Sequence, residues 1–276
     1  MGDRAAVRPP AVAGQFYPAH PDTLRRDVER MLAGADGRDA VVRGMVVPHA
    51  GIMYSGECAG RVWGAVAIPP TVVICAPNHT GLAAAPGGVS VWSRGALRTP
   101  LGDVPVAEEF AALLIDRCTL ASHDPLAHAR EHAIEVQLPF LQLRRPDAEV
   151  VPVVLAWDRW EAARELAGAL AAVIIEWPHP VLLVASSDMT HYESAESAAR
   201  KDRLALEKVE RLDGEGLLDV CHREAVTMCG RAPVAVTVAA ARALGATAAT
   251  LVDYRHSGWV TGDDRSVVAY AGVLIP

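Results

Sequence analysis

Short apolar runs alternate with amphipathic stretches along nearly the whole chain. The first amphipathic stretch predicts a helix over Asp22–Leu32, with Asp22 placed to cap it. The β-branched run Ala40–Val47 predicts a strand, and the Ala/Gly-rich Tyr54–Val66 a helix. Thr71–Ala76 and Gly88–Trp92 predict further strands. Val106–Leu114 predicts a helix, and an irregular stretch rich in His and Asp follows it. Glu131–Leu143 predicts another, with Ile134, Leu138 and Leu141 on one face. Beyond it come a strand over Glu149–Leu155, a long helix over Asp158–Ile175 started by Asp158, and a buried strand over Val181–Ser186. Ser194–Arg211 and the shorter Glu215–His222 predict helices. So does Pro233–Leu244, where Pro233 fits a first turn that needs no N–H from it. Thr250–His256 and Ser266–Leu274 close the chain as strands suited to antiparallel pairing.

Strand–helix alternation with apolar strands indicates an α/β layered sandwich, and the terminal strand pair makes its central sheet mixed. No internal repeat, low-complexity segment or Ser/Gly-rich linker divides the chain, so residues 1–276 read as a single domain. Hydrophobic residues make up 51% and aromatics only 5%, which leaves Val, Ala, Leu and Ile to fill a sizeable core. A formal charge of −7 without a Lys/Arg stripe argues against a nucleic-acid partner. Leu166–Ile175 and Val181–Ala185 are too short and interrupted to span a bilayer. The N-terminal stretch lacks the apolar core of a signal peptide, so the expectation is a cytoplasmic protein. Five irregularly spaced cysteines describe neither a disulfide framework nor a zinc ribbon. Cys58, Cys75, Cys118 and Cys221 read as small core residues.

Candidate chemistry gathers at strand ends. Val41–Val47 runs into Pro48-His49-Ala50-Gly51, and Thr71–Ala76 into Pro77-Asn78-His79-Thr80-Gly81. Val181–Ala185 runs into Ser186-Ser187-Asp188-Met189-Thr190-His191. In open α/β sheets ligands collect outside the carboxyl ends of strands. If these strands are parallel neighbours, the three histidines converge on one crevice. Cys229 precedes a predicted helix and has Arg231 close by, a setting that favours a thiolate for binding metal or attacking an electrophile. A buried structural thiol is the equal alternative for it.

Glu131 and Glu135 lie one helical turn apart in Arg130-Glu131-His132-Ala133-Ile134-Glu135, which is not an HExxH motif. A charged helix start and a role in lining the site are both open for that segment. Ser186 and Ser187 lack a GxSxG elbow, and no GxGxxG or Walker A sequence points to a nucleotide.

Ala13-Gly14-Gln15-Phe16-Tyr17-Pro18, Pro48–Gly56, Ala76-Pro77-Asn78-His79, Glu131–Glu135, Ser186–His191 and Cys229-Gly230-Arg231-Ala232-Pro233 together resemble the MEMO family, which includes AmmeMemoRadiSam system protein B. The resemblance implies a domain similar to class III, LigB-type extradiol dioxygenases. It also implies His49 and His79 as metal ligands, with Cys229 in place of a carboxylate. His191 would be the acid/base histidine with Asp188 to orient it, and His132, Glu131, Tyr54 and Asn78 would line a substrate pocket. The expected cofactor is a metal ion, Fe(II) first, with Cu or Zn suited to the softer thiolate. A metal-dependent oxidoreductase acting on a small molecule is the leading expectation. A zinc-assisted hydrolase and a non-enzymatic peptide-binding module are the alternatives. The same resemblance implies radical-SAM and AMMECR-type partners.

Overall fold

The computed structural model describes residues 6–35 and 39–276. The first half contains β1 (Val7–Arg8), α1 (Pro21–Leu32), β2 (Gly44–Val47), α2 (Ile52–Ala65), β3 (Thr71–Pro77), β4 (Val89–Val91), β5 (Ala96–Thr99) and β6 (Gly102–Pro105). Next come α3 (Glu108–Arg117), β7 (Ala121–His123), α4 (Pro125–His128), a 3-10 turn at Glu135–Gln137, α5 (Leu138–Arg144), β8 (Glu149–Leu155), α6 (Trp160–Glu176) and β9 (Val181–Ser186). The remainder holds β10 (His191–Glu193), α7 (Ala195–Glu210), α8 (Gly214–Arg223), α9 (Arg231–Ala243), β11 (Thr250–His256), α10 (Gly258–Thr261) and β12 (Val267–Ile275).

Nine strands form one mixed sheet in the order β10-β12-β2-β9-β3-β8-β4-β7, with β11 also on β12. Its centre is parallel: β2 pairs β9, β9 pairs β3, and β3 pairs β8. The expected parallel arrangement holds: β2, β9 and β3 are neighbours, and their carboxyl ends lie at the same edge. The β11–β12 pair is antiparallel, as expected from the closing strands. Every residue of β2 and β3 is buried, which is why these strands read as unbroken apolar runs rather than alternating ones.

Two sets of mutually packed helices cover the sheet. On one face α9 lies against β2, β9 and β3 and is backed by α6 and α8. On the other, α2 lies against β2, β11 and β12 and is backed by α1 and α5. The α1–α2 contact is close because Gly60 has no side chain; a Cβ there would stand 2.4 Å from the Met31 backbone. No helix among the described residues is long and apolar enough to cross a membrane.

Several boundaries move for local reasons. The first helix begins at Pro21, a residue preset for a helix start, so Asp22 lies inside the first turn instead of capping it. Asp158 does not start α6, whose N-cap is Arg159; its carboxylate is taken by Arg231 and His222. The helix expected over Glu131–Leu143 is a turn, then the 3-10 turn, then α5 from Leu138. Pro139 disfavours a continuous helix, since its ring would clash with the carbonyl of residue 135. The strand expected from Ala40 starts at Gly44, with Ala40 making only an isolated bridge to Val66. The helix expected over Val106–Leu114 is displaced to Glu108–Arg117 because Val106 bridges to Val150 instead. A small separate sheet, β1-β5-β6, was not legible in the pattern, its strands being only two to four residues long.

Candidate metal centre

His49 follows β2 and is buried, 1% exposed. Its Nδ1 lies 2.9 Å from Ser186 Oγ at the end of β9. That hydroxyl donates its one hydrogen to Ala133 O at 2.7 Å and accepts from Gln137 Nε2 at 2.9 Å. Its remaining bond must therefore be accepted from His49, which places the proton on Nδ1 and leaves Nε2 with a free lone pair. Burial, reinforced by the nearby His79, lowers the His49 pKa to about 3, so the ring is a neutral imidazole at neutral pH.

His79 follows β3 and is oriented in the same way by a carboxylate. Its Nδ1 lies 2.9 Å from Glu131 Oε1, and its backbone N–H donates to Glu131 Oε2 at 2.7 Å. Burial pushes Glu131 upward. The hydrogen bond and charge of His79, with the N–H of Ala133, outweigh that and bring its pKa down to about 2. An ionised Glu131 holds the proton of His79 on Nδ1, so this ring too presents Nε2.

Cys229 comes from the loop before α9, and its Sγ lies 3.3 Å from His49 Nε2. The loop reaches the end of β9 because residue 230 is glycine; a Cβ there would meet Ser186 O at 2.5 Å. Donor atoms of His49, His79 and Cys229 lie within 4.8 Å of one another. Two imidazole nitrogens and one sulfur, with the far nitrogens already bonded, suit a single transition-metal ion. The expected thiolate is not favoured by the protein alone. Burial and the Asp188 carboxylate push the Cys229 thiol well up, and Arg231 is spent on Asp158. A cation would be needed to take that proton's place.

Glu131, His79 and His132 form a second cluster of ligand-type groups. Glu131 Oε1 already accepts from His79 Nδ1 and from the N–H groups of His132 and Ala133, so it acts as an orienting acceptor. The His132 ring stacks on His79 with centroids 4.5 Å apart, and Phe16 packs against it at 4.7 Å. Burial and then the charge of His49 lower the His132 pKa to about 4.

His191 opens β10, its Nδ1 3.0 Å from Thr227 O and its N–H donating to Thr227 Oγ1. A carbonyl can only accept, so Nδ1 carries a proton and Nε2 is the ring nitrogen left for another partner. Asp188 does not orient this ring by a hydrogen bond among the described residues. Its Oδ1 accepts instead from the N–H groups of His49 and Ala50, at 2.8 and 3.2 Å. The strand-end turn that carries His49 is what Asp188 holds.

A cavity of about 520 Å³ opens beside Cys229, lined among others by Asn78, Trp157, Asp158, Met228 and Arg231. Asn78 thus reaches a pocket, although its amide is also used to close the 78–82 loop. Tyr54 sits in the first turn of α2, outside that cavity's wall. Of the residues that set the His49 tautomer, Gln137 carried no motif, and Ser186 stood in the Ser186–His191 segment without this role being assigned to it. Their roles arise only where β9, the 3-10 turn and the His49 loop meet.

Comparison with known proteins bears on the whole chain. The family model described as "Memo-like protein" matches residues 8–274. The chain belongs to the Memo-like family. This Memo-like chain is 41% identical over 280 residues to a "MEMO1 family protein" of Methanopyrus kandleri, covering 97% of the chain and 98% of the relative. It is 38% identical over 274 residues to one of Methanosarcina acetivorans, covering 98% and 99%. A third, from Aquifex aeolicus, is 39% identical over 270 residues, covering 97% and 98%. Membership of the Memo-like family rests on end-to-end similarity and does not itself assign a reaction.

Proposed function

We propose that this Memo-like protein is a metal-dependent oxidoreductase acting on a small molecule, with its ion held by His49, His79 and Cys229. The observation that carries the reading is the common preparation of the two histidines. Each has Nδ1 occupied by a partner, Ser186 or Glu131; His49 Nε2 lies 3.3 Å from the cysteine sulfur, and a ligand atom of each of the three residues lies within 4.8 Å of the others. A redox-active ion such as Fe(II) or Cu in this donor set would supply electron transfer and open positions for substrate.

The chain's own part is proton handling and positioning. Cys229 gives up its proton when a cation binds. His191 Nε2 is the base for a substrate hydroxyl, and the neutral His132 accepts a hydrogen bond without bringing a second positive charge. The cavity beside Cys229 admits a small molecule on the sulfur side of the centre.

The test is anaerobic purification followed by metal quantification of wild type, Cys229→Ser and His191→Ala. Wild type and His191→Ala are expected to carry near-stoichiometric metal, with Cys229→Ser strongly depleted. Oxygen uptake with a panel of reductants and aromatic diols is expected in wild type and lost in His191→Ala. Full metal content in Cys229→Ser would remove the sulfur from the centre. A full zinc complement with no oxygen uptake would turn the assignment toward hydrolysis.

A further inference from the structure

Four described residues other than glycine have positive φ: Asp39, Tyr192, Leu212 and Ala225. Leu212 and Ala225 lie just past the ends of α7 and α8, where a left-handed residue commonly closes a helix. Tyr192 ends no helix. It sits inside β10 at φ 61°, and bulky side chains rarely adopt that conformation.

The pairing of β10 explains the geometry but not the residue. His191 is opposite Val268 and Glu193 opposite Val267, so two steps on β10 match one on β12. Tyr192 is the extra residue of a bulge, a place where a left-handed conformation is ordinarily filled by glycine. The backbone is held there from both sides. Thr190 donates its N–H and hydroxyl to the buried Asp202 at 3.0 and 2.6 Å, and His191 is fastened to Thr227. On the far side Glu193 pairs with Lys201 and accepts from Ser197, each at 2.6 Å. A costly conformation that its surroundings over-determine points to use of the side chain it aims.

That side chain is a large aromatic, 78% exposed. Its ring meets the His191 ring at 5.8 Å between centroids, with the planes 63° apart. Tyr192 therefore stands beside His191, the base in the proposed function.

We infer that Tyr192 is a specificity-determining residue, an aromatic lip that packs on the flat face of a planar unsaturated ligand held beside His191. The inference rests on the metal-centre reading. An exposed ring offset from the reacting base discriminates by shape: a planar ligand gains stacking area, an aliphatic one does not.

The test compares two metal-chelating probes on full-length protein loaded with Co(II): benzohydroxamate, which is aromatic, and acetohydroxamate, which is not. Their affinity ratio cancels the strength of the metal bond. Wild type and Tyr192→Phe are expected to favour benzohydroxamate, and Tyr192→Gly to lose roughly two- to tenfold of that preference. Tyr192→Gly is also expected to melt no lower than wild type, because glycine adopts the bulge freely. An unchanged ratio in Tyr192→Gly, or retained Co(II) with no binding of either probe, overturns the inference alone. Failure of wild type to retain Co(II) overturns the metal reading, and the inference falls with it.

Discussion

Replacing Ser186 with alanine separates the tautomer argument from mere stability. Ser186 Oγ is fully buried and makes three hydrogen bonds, to His49 Nδ1, Gln137 Nε2 and Ala133 O. Gln137 keeps a partner in the substitution, since its Nε2 also donates to Pro48 O at 2.9 Å. His49 Nδ1 and Ala133 O lose theirs. Each buried group left unpaired costs ~1–3 kcal/mol, so Ser186→Ala is expected to lose ~2–6 kcal/mol. For a chain of this size that corresponds to a fall in Tm of about 3–10 °C, read by circular dichroism on metal-free protein. Freed from Ser186, the His49 ring can carry its proton on either nitrogen. Metal affinity is expected to drop by roughly 10–100-fold, read by competitive Co(II) titration on the folded variant at low temperature. A lower Tm with affinity unchanged would contradict a role for Ser186 in the tautomer. It would show that Ser186 packs the strand end without governing the ligand.

Two further expectations follow from buried groups. His49, His128 and His132 have pKa values near 3, 4 and 4, all lowered first by burial. The unfolded chain therefore binds their protons first. Their contribution to stability is complete above about pH 6.5 and is lost as pH falls through the folded values, by up to ~1.4 kcal/mol per pH unit for each histidine. The urea midpoint of metal-free protein should fall steadily from about pH 7 to about pH 5, and a flat profile would contradict the buried neutral rings. Arg8 and Glu135 form a buried ion pair, 2% and 0% exposed, and Glu135 also accepts from Ala11 N, Val12 N and Tyr17 OH. Arg8→Met should cost ~3–5 kcal/mol by stranding that carboxylate. The double variant Arg8→Met/Glu135→Met should lose less than the two single losses added; strict additivity in urea melts would deny the coupling.

Features that depend on neighbours in the chain are readable without the fold. Unbroken apolar runs marked β3, β8 and β9 because strands covered on both faces need no polar side. Pro-His and Asn-His turns marked the candidate ligand positions because such turns follow a strand wherever the sheet places it. The same local logic misread Asp158 and Glu131–Leu143. Asp158 was free to cap a helix until Arg231, far along the chain, claimed its carboxylate. The rest was decided by contacts between distant segments. Cys229 meets His49 across 180 positions, Arg8 meets Glu135 across 127, and Ser186 meets His49 across 137. No periodicity of 2 or 3.6 residues encodes such pairings. They exist because parallel β2, β9 and β3 bring their ends to one edge and because Gly230 lets the last loop press against it. Sequence therefore named the candidate chemical groups; only tertiary packing set which ring nitrogen of each histidine is taken by a partner.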